Sequence, residues 1–84
     1  MNIKQVISVV EKWIADPESV GQEELRAAYD VANAAVDAAD AWYADAWYAA
    51  AVAAAASAAC ALHGDVDGTK YWVAEYHKLI KDNA

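Results

Sequence analysis

The hydrophobic positions near the start of the chain recur every three or four residues. They are Ile3, Val6, Ile7, Val10, Trp13 and Ile14. At 3.6 residues per turn these side chains share one face of a helix, so the pattern predicts a first helix over about residues 3–15. Asp16-Pro17 should end this helix, because proline disfavours the helical conformation in the residue before it.

A second amphipathic run lies at the other end of the chain. Its apolar positions are Trp72, Val73, Tyr76, Leu79 and Ile80. This spacing predicts a last helix over about residues 69–82, with Thr69 as its N-cap. The preceding segment 63–68 contains two glycines and should form the turn that separates this helix from the middle of the chain.

The middle of the chain is rich in alanine and carries a stripe of apolar or small residues. The stripe steps alternately by four and three: Leu25, Tyr29, Ala32, Val36, Ala39, Tyr43, Ala46, Ala50, Ala53, Ser57 and Cys60. Ser19, with Gln22 three positions later, fits a capping box. The second half of the stripe is all small and should pack closely against another helix.

Two arrangements of this middle segment are open. From residue 22 to residue 62 there is no glycine or proline, which favours one continuous central helix over about residues 20–62, ~60 Å long. The alternative is a break near residues 37–40, where an aspartate can cap a new helix. Both arrangements give an all-α protein with a single domain over 1–84, in which the terminal helices pack on the central segment.

The alanine-rich stretch Ala46–Leu62 also has to be considered as a membrane span. It is uncharged over 17 residues, but alanine gains little in lipid and the stretch is at the short end of the spanning range. We therefore predict no membrane partner. A chain of 84 residues buries only a modest core, and a homodimer through the small half of the stripe would be one remedy.

Charge is the most informative compositional feature. The net charge is −7, and residues 15–68 hold ten acidic side chains and one basic side chain, Arg26. Such a surface repels nucleic acid and attracts a basic protein. No charged segment followed by an apolar one begins the chain, so a cytoplasmic location is expected. Cys60 is the single cysteine and has no partner for an internal disulfide.

The sequence gives little support to catalysis, a cofactor or a metal. Ser57 and Cys60 fall on the packing stripe, and His63 and His77 have no companion at metal-ligand spacing. The loop 65–68 resembles part of a calcium loop, but a register with Gly68 at the sixth position puts Ala74 where the bidentate glutamate belongs. We therefore expect no enzyme, no cofactor and no metal site.

Acidic residues form a row along the predicted central helix. Glu23, Asp30 and Asp37 lie on one stripe at 100° per residue, Asp40 lies beside it and Asp45 somewhat further round. A rigid row of carboxylates can take the place of phosphates in front of a DNA-binding groove. The alternative interpretation is a solvated face that keeps an alanine-rich helix soluble, although such faces usually interleave both signs of charge.

Two Trp-Tyr pairs follow in the segment DAWYADAWYAA at 40–50. Tyr43 lies on the packing stripe, whereas Trp42, Trp47 and Tyr48 point in several directions. Tryptophan and tyrosine are enriched at binding hot spots, so these three residues are candidate apolar anchors for a partner. The alternative is that they all cover the terminal helices.

A short, acidic chain of this kind resembles the phage-encoded inhibitors that mimic DNA. Glu18-Ser19-Val20 is similar to the Glu-Ser-Ile triplet of the uracil-DNA glycosylase inhibitor, a chain of similar length. In that family the glutamate acts beside an edge strand and a pocket takes up a leucine of the enzyme. The resemblance implies that Glu18 contacts the partner and that the location is the host cell cytoplasm, although this sequence predicts no strand there.

We therefore expect an acidic inhibitory protein that occupies the DNA-binding surface of a nucleic-acid-processing enzyme, such as uracil-DNA glycosylase, and captures an apolar side chain. The expected partner is a basic DNA-binding protein, and not nucleic acid itself. The partner-binding candidates are Glu18, Glu23, Asp30, Asp37, Asp40, Trp42, Asp45, Trp47 and Tyr48. The alternative is a self-associating, Ala-rich helical assembly protein with no enzymatic target.

Overall fold

The computed structural model describes residues 1–39 and 46–82. Helix α1 covers Ile3–Ala15, a short 3₁₀ turn covers Pro17–Ser19, and α2, α3 and α4 cover Gln22–Ala39, Ala46–Leu62 and Val66–Asp82. The described residues contain no strand. The prediction of an all-α fold is confirmed. None of the helices in these ranges combines the length and the apolar character that a bilayer span requires.

The first helix follows the predicted pattern. The side chain of Asn2 accepts a hydrogen bond from the Gln5 N–H at 2.9 Å, and the Gln5 side chain accepts one from the Asn2 N–H at 2.8 Å. This reciprocal capping box satisfies two N–H groups that a helix start would otherwise leave unpaired. The helix ends at Ala15, before Asp16-Pro17, as the sequence predicts.

The predicted cap at Ser19 is wrong. Ser19 belongs to the 3₁₀ turn, and its hydroxyl donates to the Asp16 carbonyl at 2.7 Å. Helix α2 begins two residues after Val20, and its first turn includes a hydrogen bond from the Leu25 N–H to the Gly21 carbonyl. Burial of Val20 explains the difference, because it anchors the turn in the core before the helix begins.

The predicted cap at Thr69 is also wrong, because Asp65 begins the last helix. Its carboxylate accepts a hydrogen bond from the Gly68 N–H at 2.9 Å, and its backbone carbonyl accepts one from the buried Thr69 hydroxyl at 2.6 Å. Aspartate is a better N-cap than threonine. Gly64, at a φ of 74°, ends α3 just before it in the left-handed conformation that glycine tolerates. The last helix therefore starts one turn earlier than predicted.

A single straight helix over residues 20–62 is not confirmed. Helices α2 and α3 pack side by side, and the described residues extend 36 × 22 × 18 Å, which is too short for a helix of ~60 Å. Helix α2 extends through Ala39, so residues 37–39 of the predicted break near 37–40 are helical, and Asp40 lies outside the described residues. Residues 40–45 are outside the described ranges.

The reason for this folding is the apolar character of α3 on every side. Helix α3 contacts α1, α2 and α4. Its buried residues cover more than half of its circumference at 100° per residue, and its other described side chains are half-buried. The buried residues are Ala50, Ala51, Ala53, Ala54, Ala55, Ser57, Ala58 and Ala61. A helix that is apolar all round is stable only when it is enclosed. The small side chains of the predicted stripe allow the other helices of the same chain to enclose α3. The described members of the stripe are buried or half-buried.

Candidate partner-binding surface

The acidic row lies on the solvent side of α2. Glu23, Asp30 and Asp37 are all exposed and recur every seven residues, which places the first and last ~21 Å apart along the helix. On the opposite side of α2, Leu25 and Ala32 are completely buried. The core therefore holds α2 in a rotation that points all three carboxylates into water.

No ion pair neutralises these three carboxylates within the described ranges. His77 Nε2 and Glu11 Oε2 lie 3.0 Å apart, but on α4 and α1 and away from this row. Helix α3, which packs beside α2, has no charged residue, and Arg26 is the one basic residue of α2. Arg26 lies three residues after Glu23 and four before Asp30 on this helix. Asp37, by contrast, has no basic residue within four positions. The row therefore keeps an excess of negative charge.

Glu18 is exposed in the 3₁₀ turn that precedes α2. Its backbone N–H donates to the Asp16 side chain at 3.2 Å, which fixes the turn and leaves the Glu18 carboxylate free to project outwards. The structure thus places Glu18 before the helix that carries the row. As the sequence suggests, it has no strand beside it among the described residues.

The predicted aromatic anchors are only partly described. Tyr48 is half-buried in α3. Asp40, Trp42 and Asp45 lie outside the described residues, and the side chain of Trp47 does as well. The proposal that Trp42 and Trp47 contact a partner therefore stays a prediction.

An apolar groove that the sequence did not reveal runs between α2 and α3. It has a volume of about 260 Å³ and is open to solvent. Its α2 wall consists of Tyr29, Asn33 and Val36, and its α3 wall includes Val52 and Ala56. Sequence reasoning missed this groove because it forms only when two separate helices pack together. A hint was available in the alternation of large and small residues along the stripe.

The groove and the acidic row are neighbours on α2. At 100° per residue, Asn33 lies within about 60° of both Asp30 and Asp37 around the helix axis. The α2 edge of the groove therefore lies beside two exposed carboxylates and one exposed cation, Arg26, while its α3 wall is uncharged. A surface of this kind combines negative charge with an apolar depression.

A second groove lies between α1 and α4. It has a volume of about 330 Å³ and is lined by Ile14 and Val73, with Glu11 on one wall and Lys70 on the other. This groove carries both signs of charge at its edges. It therefore has no preference for a partner of one charge.

Two titratable side chains in or near the core, Cys60 and Tyr76, have raised pKa values. Burial, and secondarily the nearby Asp65 charge, raises the pKa of the Cys60 thiol, which lowers the fraction of reactive thiolate. Burial and the Glu11 charge raise the pKa of the Tyr76 phenol. The Ser57 hydroxyl donates to the Ala54 carbonyl at 2.8 Å. Among residues 1–39 and 46–82 no three His, Cys, Asp or Glu side chains come together to hold a metal ion.

Comparison with protein-family models, with curated proteins and with solved structures found no match to this chain.

Proposed function

We propose that this protein is an acidic inhibitory binding protein that occupies the DNA-binding surface of a nucleic-acid-processing enzyme. The observation that carries the proposal is the row of exposed carboxylates on α2, which has no ion-pair partner in the described part of the chain. Exposed carboxylates that form no ion pair within the fold are available to a basic partner. Uracil-DNA glycosylase is one such target, on the resemblance at Glu18-Ser19-Val20.

The row suits this role because it is rigid and regularly spaced. Each seven-residue step along α2 is ~10 Å, and burial of the opposite side of the helix fixes the direction of the carboxylates. A fixed acidic surface accelerates encounter with a basic groove and disfavours partners of the wrong charge. Much of the affinity should therefore depend on charge and fall as salt is raised.

The self-associating alternative has less support. The described small residues of the stripe, such as Ala50, Ala53 and Ser57, are buried inside one chain. A homodimer through them would require the bundle to open. The net charge of −7 further opposes association of two copies at low salt.

The proposal is tested by affinity capture from a nuclease-treated bacterial lysate. The baits are the wild-type protein, an Asp30→Asn/Asp37→Asn variant, and an Asp67→Asn/Glu75→Gln variant that removes the same charge from α4. We expect the wild type and the α4 variant to capture a nucleic-acid-processing enzyme at low salt, and the α2 variant to lose most of it. Equal capture by all three baits, or capture of proteins that do not handle nucleic acid, would contradict the proposal.

A further inference from the structure

The groove between α2 and α3 offers an apolar floor that the described residues of the chain do not fill. Val52 and Ala56 form part of one wall and Tyr29 and Val36 part of the other. All four residues are half-buried, so the groove keeps part of its apolar surface in contact with water. An apolar group that entered it would remove this surface from water, which favours binding.

The size of the groove limits what it can hold. Pockets for drug-sized ligands and cofactors have volumes of about 300–1,000 Å³ and enclose most of the ligand. This groove, at about 260 Å³ and open to solvent, is smaller and shallower. It suits a single aliphatic side chain presented by another protein better than a nucleotide or a cofactor.

The charges around the groove select the carrier of that side chain. Helix geometry places the exposed carboxylates of Asp30 and Asp37 beside its α2 wall. The exposed Arg26 precedes Asp30 by about one turn and leaves an excess of negative charge there, and the α3 wall carries no charge of either sign. A second copy of this chain would bring its own net charge of −7 against this edge. A basic segment is therefore the complementary occupant.

We propose that the α2–α3 groove binds an aliphatic side chain of a basic segment of the partner, whose lysines or arginines pair with Asp30 and Asp37. The inference rests on the proposed function and deepens it, because it names the surface that takes the apolar anchor. The contact with the apolar side chain of the partner is then made by residues of α2 and α3 that lie away from the Trp-Tyr segment. The α1–α4 groove is not equivalent, since Glu11 and Lys70 give its edges opposite charges.

The test uses two synthetic helical peptides with the same number of lysines, one with leucines on its apolar face and one with alanines there. Binding is measured by fluorescence anisotropy at low salt. The variant Ala56→Gln places a polar side chain in the groove. Ala27→Gln makes the same change at an exposed position of α2 on the far side of the acidic row, and is the matched control.

We expect the wild type and Ala27→Gln to bind the leucine peptide about tenfold more tightly than the alanine peptide, and Ala56→Gln to lose this preference. Ala59→Gln, on the same wall, replaces Ala56→Gln if that variant does not fold by circular dichroism. A preference absent from the wild type, or retained in the groove variant, would overturn the inference.

The charge and groove contributions can be separated in the same assay. Asp30→Asn/Asp37→Asn should weaken both peptides to a similar degree and leave the leucine preference in place. If it weakens both but the wild type shows no leucine preference, the groove inference fails while the proposed function stands. If it weakens neither, the acidic edge does not recruit a basic segment, and the proposed function fails with it.

Discussion

Asp30 and Asp37 carry the functional argument at the scale of single residues. Both are exposed on a helix whose opposite side is completely buried, so neither can turn inwards to relieve its charge. An exposed carboxylate contributes little to folding, even with a cation four residues away on the same helix as Arg26 is from Asp30. Its replacement by asparagine should therefore change binding far more than stability.

At the same scale, the buried Tyr76 predicts how the stability of the protein depends on pH. Burial and the Glu11 charge raise the pKa of its phenol above the ordinary value of 10.0. Above that pH the unfolded chain releases the proton while the folded chain keeps it, so this tyrosine contributes stability below about pH 10 that is lost as the pH rises further. We expect urea denaturation of the wild type to show a steeper loss of stability between about pH 9 and about pH 11 than Tyr76→Phe does.

Tyr71→Phe is the control for the Tyr76 prediction, since it removes the same hydroxyl from a side chain that is 57% exposed. It should lose stability with pH as steeply as the wild type. If Tyr76→Phe follows the same pH profile as both, the assignment of a buried phenol that holds its proton is wrong.

At the scale of elements, one residue joins the two helices at the end of the bundle. The Asp65 N–H donates to the Cys60 carbonyl and the Gly64 N–H to the Ala61 carbonyl, which together close the end of α3 in a Schellman motif. The Asp65 carboxylate then caps α4 through the Gly68 N–H. This residue thus ends one helix with its backbone and begins the next with its side chain.

Replacement of Asp65 separates these two contributions. Asp65→Ala keeps the backbone N–H but removes the cap of α4, and we expect it to lower the free energy of unfolding by about 1 kcal/mol. Asp67→Ala, at the exposed second residue of the same helix, should cost clearly less. Urea denaturation monitored by circular dichroism measures both, and equal losses would refute the role of Asp65 as the cap.

The elements differ in how far the sequence determines them. The bounds of α1 follow from local signals, namely its apolar spacing and Asp16-Pro17. The separation of α2 from α3 does not, because no glycine or proline marks it. The gain comes from packing α2 against α3, which are distant parts of the chain. The acidic row could be predicted because it depends only on the period of one helix. The groove could not, because it depends on how two helices pack together.

At the scale of the whole molecule, the structure explains how an alanine-rich chain forms a core. Helices α1, α2 and α4 all pack on α3, and the small side chains allow this close approach. The small residues that could have formed a homodimer contact are therefore packed in the core of a single chain. The acidic side of α2 is left facing solvent.

This arrangement predicts a monomer. Sedimentation equilibrium at high micromolar concentration should give the mass of one chain, 9.0 kDa, at low and at high salt. High salt matters because it screens the repulsion between copies that each carry a net charge of −7. A dimer mass at either salt concentration would favour the self-associating alternative.

Competition with DNA tests the central claim most directly. A fluorescent DNA duplex is bound to the enzyme recovered by affinity capture, and its anisotropy is followed as this protein is added. We predict that the wild type and Asp67→Asn/Glu75→Gln release the duplex at similar concentrations, whereas Asp30→Asn/Asp37→Asn needs a much higher concentration. A duplex that stays bound while the protein also binds the enzyme would contradict the claim that the acidic face of α2 occupies the DNA-binding surface.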